Sequence, residues 1–215
     1  MNKALAAKIE HTILGPNISY EAIVSHIKEA MDLGVFAVCI PLEWVALTKK
    51  LVKDTFIKVV TVIDFPLGQA SDEQKILETI AAKAFGADEL DMVLDYEALI
   101  NKDYEKVLAG IKAVVQNASP ALVKVIVETS ALTKEQLAIA CSLVALAKAA
   151  FIKTSTGLHK AGAQIEDIIL MRKLLPDCIK IKASGGIKDS KFAQELIAAG
   201  ADRIGSSKSR IILTP

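Results

Sequence analysis

The sequence predicts one α/β domain over residues 1–215, closing as a small (β/α)8 barrel. Three observations predict it. Eight short aliphatic runs alternate with segments of helical periodicity, and helix-stopping motifs recur ahead of the runs. The 215 residues also divide into eight units of about 27, enough for a strand, a helix and two short loops. An open doubly wound sheet is the runner-up, and in either topology the chemistry belongs at the carboxyl ends of the strands.

Strands buried on both faces read as continuous aliphatic runs, and here the runs fall at 9–14, 36–40, 57–63, 89–94, 122–127, 151–153, 179–182 and 202–204. Helical spacing follows the first over 21–33, where Gly34 can stop it, and the second over 42–53. Ser71 and Gln74 are spaced as a capping box ahead of Ile76, Leu77, Ile80 and Ala84. A helix is expected over 104–117. Thr133 and Gln136 then repeat the box before Leu137, Cys141 and Val144. Another helix is expected over 165–174, and Asp189 can cap one carrying Phe192 and Leu196. Gly86-Ala87-Asp88 and Gly200-Ala201-Asp202, 114 residues apart, end helices before the fourth and eighth runs, with Ala149-Ala150 a degenerate version before the sixth. After Ser207 little room is left for a full final helix.

Composition narrows the function. Hydrophobic residues make up 52% of the chain but aromatic ones only 5%, which suits close-packed aliphatic layers better than a base-stacking surface. With 26 basic and 25 acidic residues the net charge of +1 gives no general attraction to nucleic acid or an anionic membrane, so a phosphate ligand needs a local site. Charges interrupt every apolar run before the roughly 18 residues of a membrane helix, and the first residues lack a signal peptide's apolar centre, so a cytoplasmic location is expected. Cys39, Cys141 and Cys178 are widely spaced in apolar contexts and read as reduced core thiols. His11, His26 and His159 lack ligand spacing, so no metal site is expected; His26 reads as structural and His159 as loop surface. The fingerprints of serine hydrolases, P-loop nucleotide hydrolases and dinucleotide-dependent dehydrogenases are missing.

What stands out is lysine in apolar strands. Lys124, Lys153 and Lys182 lie in three consecutive runs, spaced 29 and 29 residues apart. Burial favours a neutral amine unless an anion compensates, and two neighbouring ammonium groups are expected to push one pKa toward neutrality, as a Schiff-base lysine requires. Asp91 lies between apolar neighbours, needs a cationic partner and could shuttle protons; Glu89, Asp95 and Glu97 read as solvated strand-end charges. Small-residue segments follow the last three strands: Thr154-Ser155-Thr156-Gly157, Ser184-Gly185-Gly186 and Gly205-Ser206-Ser207. Glycine lets backbone amides approach an anion and the hydroxyls add neutral donors, so together these segments predict a phosphate site.

From IEHTILGP through AVCIP, TVIDFPLG, GADELDMVLDYEAL and KVIVET to FIKTSTG, KASGGI and RIGSSKS, the chain resembles the deoxyribose-phosphate aldolases, class I aldolases with a TIM-barrel fold. FIKTSTG followed by K-x-SGGI is the specific part. The resemblance implies reversible cleavage of 2-deoxy-D-ribose 5-phosphate to D-glyceraldehyde 3-phosphate and acetaldehyde, without metal or organic cofactor. It makes Lys153 the Schiff-base lysine, Lys182 the lysine that perturbs it and transfers protons, Asp91 the acid/base and Lys124 a supporting charge. It also assigns Thr156, Gly157, Gly185, Gly186, Gly205, Ser206 and Ser207 to phosphate and substrate. The implied partners are the phosphorylated sugar, its aldehydes and further copies of the chain in a homodimer or higher homo-oligomer, with no nucleic acid or membrane.

The chain departs from the family pattern at Glu10, commonly aspartate, and at Gly15, commonly lysine. Leu158 stands where relatives carry aromatic or basic residues, and the chain ends without the tyrosine-bearing tail of some relatives. These bear on substrate affinity and protonation rate. The competing readings are another Schiff-base aldolase for a phosphorylated sugar and a noncatalytic sugar-phosphate sensor, which would need the glycine loops but not both lysines with Asp91.

Overall fold

A computed structural model describes residues 2–159 and 161–214. Its strands are β1 (Ile9–Thr12), β2 (Ala37–Ile40), β3 (Lys58–Ile63), β4 (Glu89–Val93), β5 (Leu122–Ile126), β6 (Phe151–Lys153), β7 (Lys180–Ser184) and β8 (Arg203–Ser206). Each pairs in parallel with the next, and β8 pairs with β1 to close the barrel. The helices are α1 (Lys3–Ala6), α2 (Tyr20–Leu33), α3 (Val45–Leu51), α4 (Asp72–Ala84), α5 (Tyr96–Ile100), α6 (Tyr104–Ala118), α7 (Lys134–Leu146), α8 (Ile165–Leu174), α9 (Ser190–Ala198) and α10 (Ser209–Leu213).

Local chemistry explains most of the boundaries. Ser19, Ser71, Thr133 and Asp189 accept from free amides at the starts of α2, α4, α7 and α9. Thr133 and Gln136 close a full capping box, whereas at Ser71 only half forms: the Gln74 side chain turns to Glu78, to which its Nε2 donates at 3.1 Å, and its oxygen does not accept from the Ser71 amide. Gly34 ends α2 in the left-handed conformation, as expected. After α7 the positive φ of 58° falls on Lys148, one residue before the Ala149-Ala150 pair.

Three expectations need correction. The helix expected over 42–53 is split into a 3-10 turn, Leu42–Trp44, and the shorter α3. Pro41 precedes the turn in extended backbone and, lacking an amide hydrogen, cannot continue a helical ladder. The short helices α1, α5 and α10 and the 3-10 turn Thr129–Ala131 are too brief to leave a periodic signature. Cys39 and Cys141 are buried, but Cys178 is exposed in the turn between α8 and β7.

Outward-facing strand residues such as Leu90, Met92, Val125, Ile152, Ile181 and Ile204 pack beneath the helices in one apolar layer. Helix burial there is one-sided. Leu90 is 0% exposed, whereas Leu77 on α4 is 62% exposed. Leu90→Ala should therefore lose about 2–5 kcal/mol of unfolding free energy, and Leu77→Ala less than about 0.5 kcal/mol, in urea titrations read by circular dichroism.

Candidate active site

Register decides which side chains meet inside the barrel, because residues paired across parallel strands point to the same face. Asp91 on β4 pairs with Lys124 on β5, Lys153 on β6 with Lys182 on β7, and Gly205 on β8 with Glu10 on β1. Lys124 is level with Phe151 rather than Lys153, which pairs with Ile126. Equal sequence spacing thus places Lys124 one inward-facing step deeper. Around it the amino-terminal end of the barrel is filled by Phe151, at its own level, and by Arg203, whose guanidinium lies 3.8 Å from the Phe36 ring centre.

The lysines do not confront one another bare. Asp91 Oδ2 accepts from Lys153 Nζ at 2.8 Å and from Lys182 Nζ at 2.6 Å, so the two amines stand no farther apart than those bonds together allow. Asp91 Oδ1 accepts from Lys124 Nζ at 2.8 Å. Lys182 also bonds Glu10, and Lys124 pairs with Glu89 at 2.6 Å and Glu10 at 3.4 Å. Three amines therefore meet three carboxylates, all buried, and their formal charges cancel.

This corrects two expectations. Glu89 is not a solvated strand-end charge but an internal partner of Lys124, a role signalled by its position two residues before Asp91 on the same strand face. Glu10 is an equal member of the cluster. The lysine pair is also not governed by mutual repulsion alone. Burial disfavours the charged form of Lys182, yet Asp91 and Glu10 outweigh burial and raise its pKa. Lys124 is raised likewise, against burial, by Asp91, Glu10 and Glu89. Burial opposes ionisation of Asp91 too, but Lys124, Lys153 and Lys182 hold it well below the usual carboxylate range.

A cavity of about 250 Å3 opens at the carboxyl ends of β6, β7, β8 and β1, and Lys153 is the lysine of the trio that lines it. Thr156, Gly157, Gly185, Gly186, Gly205, Ser206 and Ser207 line it too, joined by Phe65, Leu158, Lys188 and Lys208. The strand-end segments divide their labour differently from expectation. Thr156 Oγ1 donates to Glu128 at 2.5 Å and Ser206 Oγ to the Ile187 carbonyl at 2.8 Å, so neither hydroxyl has a hydrogen left for an anion. Gly205 is needed inside the barrel, where a Cβ would stand 2.9 Å from Lys182 Cε. Gly185 packs on Gly162, whose Cβ would meet the Gly185 carbonyl oxygen at 2.0 Å, locking the β6 and β7 loops together. The amides of Gly157, Gly186 and Ser207 have no acceptor among the described residues and remain available.

The other singled-out residues lie outside the cluster. Cys39 is buried on β2, where burial raises its thiol pKa. His26 bonds the His11 carbonyl at 3.2 Å and stacks on the His11 ring at 3.8 Å, between β1 and α2, as a structural pair that no sequence spacing signalled. His159 is exposed and meets Tyr96 Oη at 3.3 Å. Asp95 caps α5 through Ala98 and pairs with Lys106.

A closed parallel barrel with a reachable lysine bonded to a buried carboxylate defines an enzyme frame suited to amine chemistry on carbonyl compounds. Residues 2–210 match the DeoC/LacD family aldolase profile, and the chain belongs to that family. It is 47% identical over 209 residues to the deoxyribose-phosphate aldolase of Halalkalibacterium halodurans, covering 96% of this chain and 93% of that one. It is 44% identical over 215 residues to the deoxyribose-phosphate aldolase of Caldicellulosiruptor saccharolyticus, covering 99% and 98%. Among solved structures, the deoxyribose phosphate aldolase of Aeropyrum pernix, described as a unique tetramer, superposes with a TM-score of 0.90 at 30% identity, covering 98% of this chain and 90% of that one.

The charge cluster fixes a pH signature. Lys124 and Lys182, raised in the folded state, contribute stability in full below the ordinary lysine value of about 10.4 and lose it as pH rises through their folded values. Asp91, lowered in the folded state, contributes above about 3.9 and loses that contribution as pH falls through its folded value. Asp91→Asn leaves three buried amines against two carboxylates and should cost about 3–5 kcal/mol at pH 7. Folding of the variant then releases a proton, so its stability should climb relative to the parent's between about pH 7 and 10. Urea unfolding across that range reads the difference, and parallel curves would count against the assignment.

Proposed function

We propose that this chain is a class I aldolase that reversibly cleaves 2-deoxy-D-ribose 5-phosphate to D-glyceraldehyde 3-phosphate and acetaldehyde through a Schiff base on Lys153. The observation that carries the reading is the difference among the three clustered lysines: Lys153 lines the cavity while donating to Asp91, and Lys124 and Lys182 stay behind it. Family membership, and relatives that carry the name of this activity, support the substrate.

The Lys153 amine adds to the aldehyde carbon C1 of the open-chain sugar, and loss of water leaves an iminium. A water molecule takes the C3 hydroxyl proton, the C2–C3 bond breaks, and its electron pair flows to the iminium nitrogen. C3 becomes the aldehyde carbon of D-glyceraldehyde 3-phosphate, and an enamine of acetaldehyde remains. Protonation at C2 and addition of water release acetaldehyde and restore the amine. Asp91, bonded to both Lys153 and Lys182, takes and returns protons in the addition and dehydration steps, with Lys182 as the adjacent proton donor and Lys124 holding Asp91 in place. These steps balance with protein groups and water alone.

The sugar phosphate fits with its C5 end toward Gly157, Gly185, Gly186 and Ser207, where free amides and the Lys188 and Lys208 ammonium groups surround the cavity mouth. Residues 1–215 act as one aldolase domain in the cytoplasm. The working form is a homo-oligomer; exposed Leu77 and Ile80 on α4 and the tetrameric relative support this.

Incubation with acetaldehyde and borohydride, followed by peptide mapping, should place the reduced adduct on Lys153. A label elsewhere, or none on folded protein, would overturn the assignment. Lys153→Arg should abolish deoxyribose 5-phosphate cleavage, because a guanidinium stays protonated and forms no imine.

A further inference from the structure

Glu128 follows β5 and is fully buried, yet no basic side chain among the described residues lies within ion-pair distance of it. Its backbone sits at φ 52° and ψ 65°, a left-handed conformation that a residue with a Cβ rarely adopts. Buried charge without a cation and an unfavourable backbone both oppose folding, so the contacts at this residue must compensate. Within its own loop Ser130 Oγ donates to Glu128 Oε1 at 3.4 Å, and the shorter bonds all come from Thr156. Glu128 Oε2 accepts from the Thr156 amide at 3.0 Å and from Thr156 Oγ1 at 2.5 Å.

Thr156 lies three residues beyond Lys153 and immediately before Gly157, and both line the cavity. The same two chain segments are joined below by Val127 donating to the Lys153 carbonyl and Thr129 donating to the Thr154 carbonyl. The barrel ladder therefore extends past the end of β6, and its last rung is the Glu128 side chain rather than backbone. Thr156 Oγ1 in turn accepts from the Leu158 amide at 3.2 Å, so the turn carrying Gly157 hangs from this carboxylate. Across the cavity the turn closes against Gly185, which a Cβ on Gly157 would approach at 3.8 Å.

We propose that Glu128 is a positioning residue for the phosphate end of the site: its carboxylate turns both Thr156 donors away from the cavity and sets the Gly157 turn against the β7 loop, so that backbone amides converge on the anion. The proposal rests on the functional reading above. It predicts a defect confined to the phosphate, because Lys153 is held by Asp91 and by the ladder on both sides and does not depend on Glu128.

The test compares Glu128→Ala, Glu128→Gln and Thr156→Val with the parent enzyme. Glu128→Ala should raise KM for deoxyribose 5-phosphate about 10-fold with kcat within about 3-fold, and weaken inorganic phosphate binding, measured by calorimetry, by a similar factor. KM for unphosphorylated deoxyribose and acetaldehyde labelling at Lys153 should stay at parent values. Glu128→Gln keeps an acceptor at the same reach and should restore most of the phosphate affinity. Thr156→Val keeps the amide bond to Glu128 but loses the hydroxyl, both its donation to Glu128 and its acceptance from the Leu158 amide, and should show about a 3-fold change in the same direction, a measurement that stands even if Glu128→Ala does not fold. Equal losses on phosphorylated and unphosphorylated sugar, or unchanged phosphate binding in folded variants, overturn the proposal. A parent protein that binds inorganic phosphate but cleaves no deoxyribose 5-phosphate would instead overturn the functional reading, and the calorimetric comparison would still decide the role of Glu128.

Discussion

One carboxylate, Asp91, organises the interior of this barrel. It bonds all three buried lysines, and the sheet register, the carboxylates of β1 and β4 and the glycine of β8 together make that arrangement possible. Several charges taken out of water rarely add net stability, since desolvation offsets most of their attraction. Their advantage is chemical. In the proposed reaction, a lysine that attacks a carbonyl needs a proton acceptor already in contact and a neighbouring cation that does not wander, and Asp91 and Lys182 would meet those needs without reorganisation.

Barrel geometry separates the roles of three otherwise similar lysines. The offset between neighbouring strands puts Lys124 level with Phe151, where it is closed off from the cavity and occupied by Glu89, Asp91 and Glu10. Lys182 is level with Lys153 but runs along Gly205 toward Glu10, so its amine lies behind the cavity wall. Lys153 ends a three-residue strand, with Asp91 as its single carboxylate partner among the described residues, and reaches the cavity. Glu10 belongs to this division: it reaches both Lys182 and Lys124, linking the two non-cavity amines to each other.

The alternation of strands and helices was legible because it rests on local periodicity and on caps that act within three or four residues. Capping hydroxyls at Ser71 and Thr133 were readable from spacing alone, but whether Gln74 would return the bond was not, since Glu78 one turn later draws the side chain away by accepting from its Nε2. The lysines and Asp91 stood out as charges in apolar strands. Glu10 and Glu89 did not, because a carboxylate near a strand start is solvated in most folds and its burial is decided by the opposite wall of the barrel. The same limit hid Glu128 and the stacked pair of His11 and His26: each depends on partners 15 or more residues away, and no local pattern encodes them. Hydroxyls offered the reverse error. Thr156 and Ser206 look like anion donors in a small-residue segment, yet three-dimensional neighbours had already taken their hydrogens.

That redistribution of hydrogens bears on how a nearly neutral protein holds a dianion. With the formal charges of the lysine cluster cancelled by Glu10, Glu89 and Asp91, the interior offers a phosphate little net attraction. In the proposed phosphate site the hold would come from the cavity mouth, where Lys188 and Lys208 are exposed and well hydrated and would steer more than they bind. Backbone amides remain, and they act strongly only when fixed in place beforehand, because an amide that must reorient loses most of its advantage over water. The hydroxyls of Thr156 and Ser206 serve that fixing: one ties the β6 loop to Glu128, the other ties the β8 loop to Ile187 beside the β7 loop. In that reading, side chains that look like ligands act as struts, and the donors left to an anion are the main-chain groups between them.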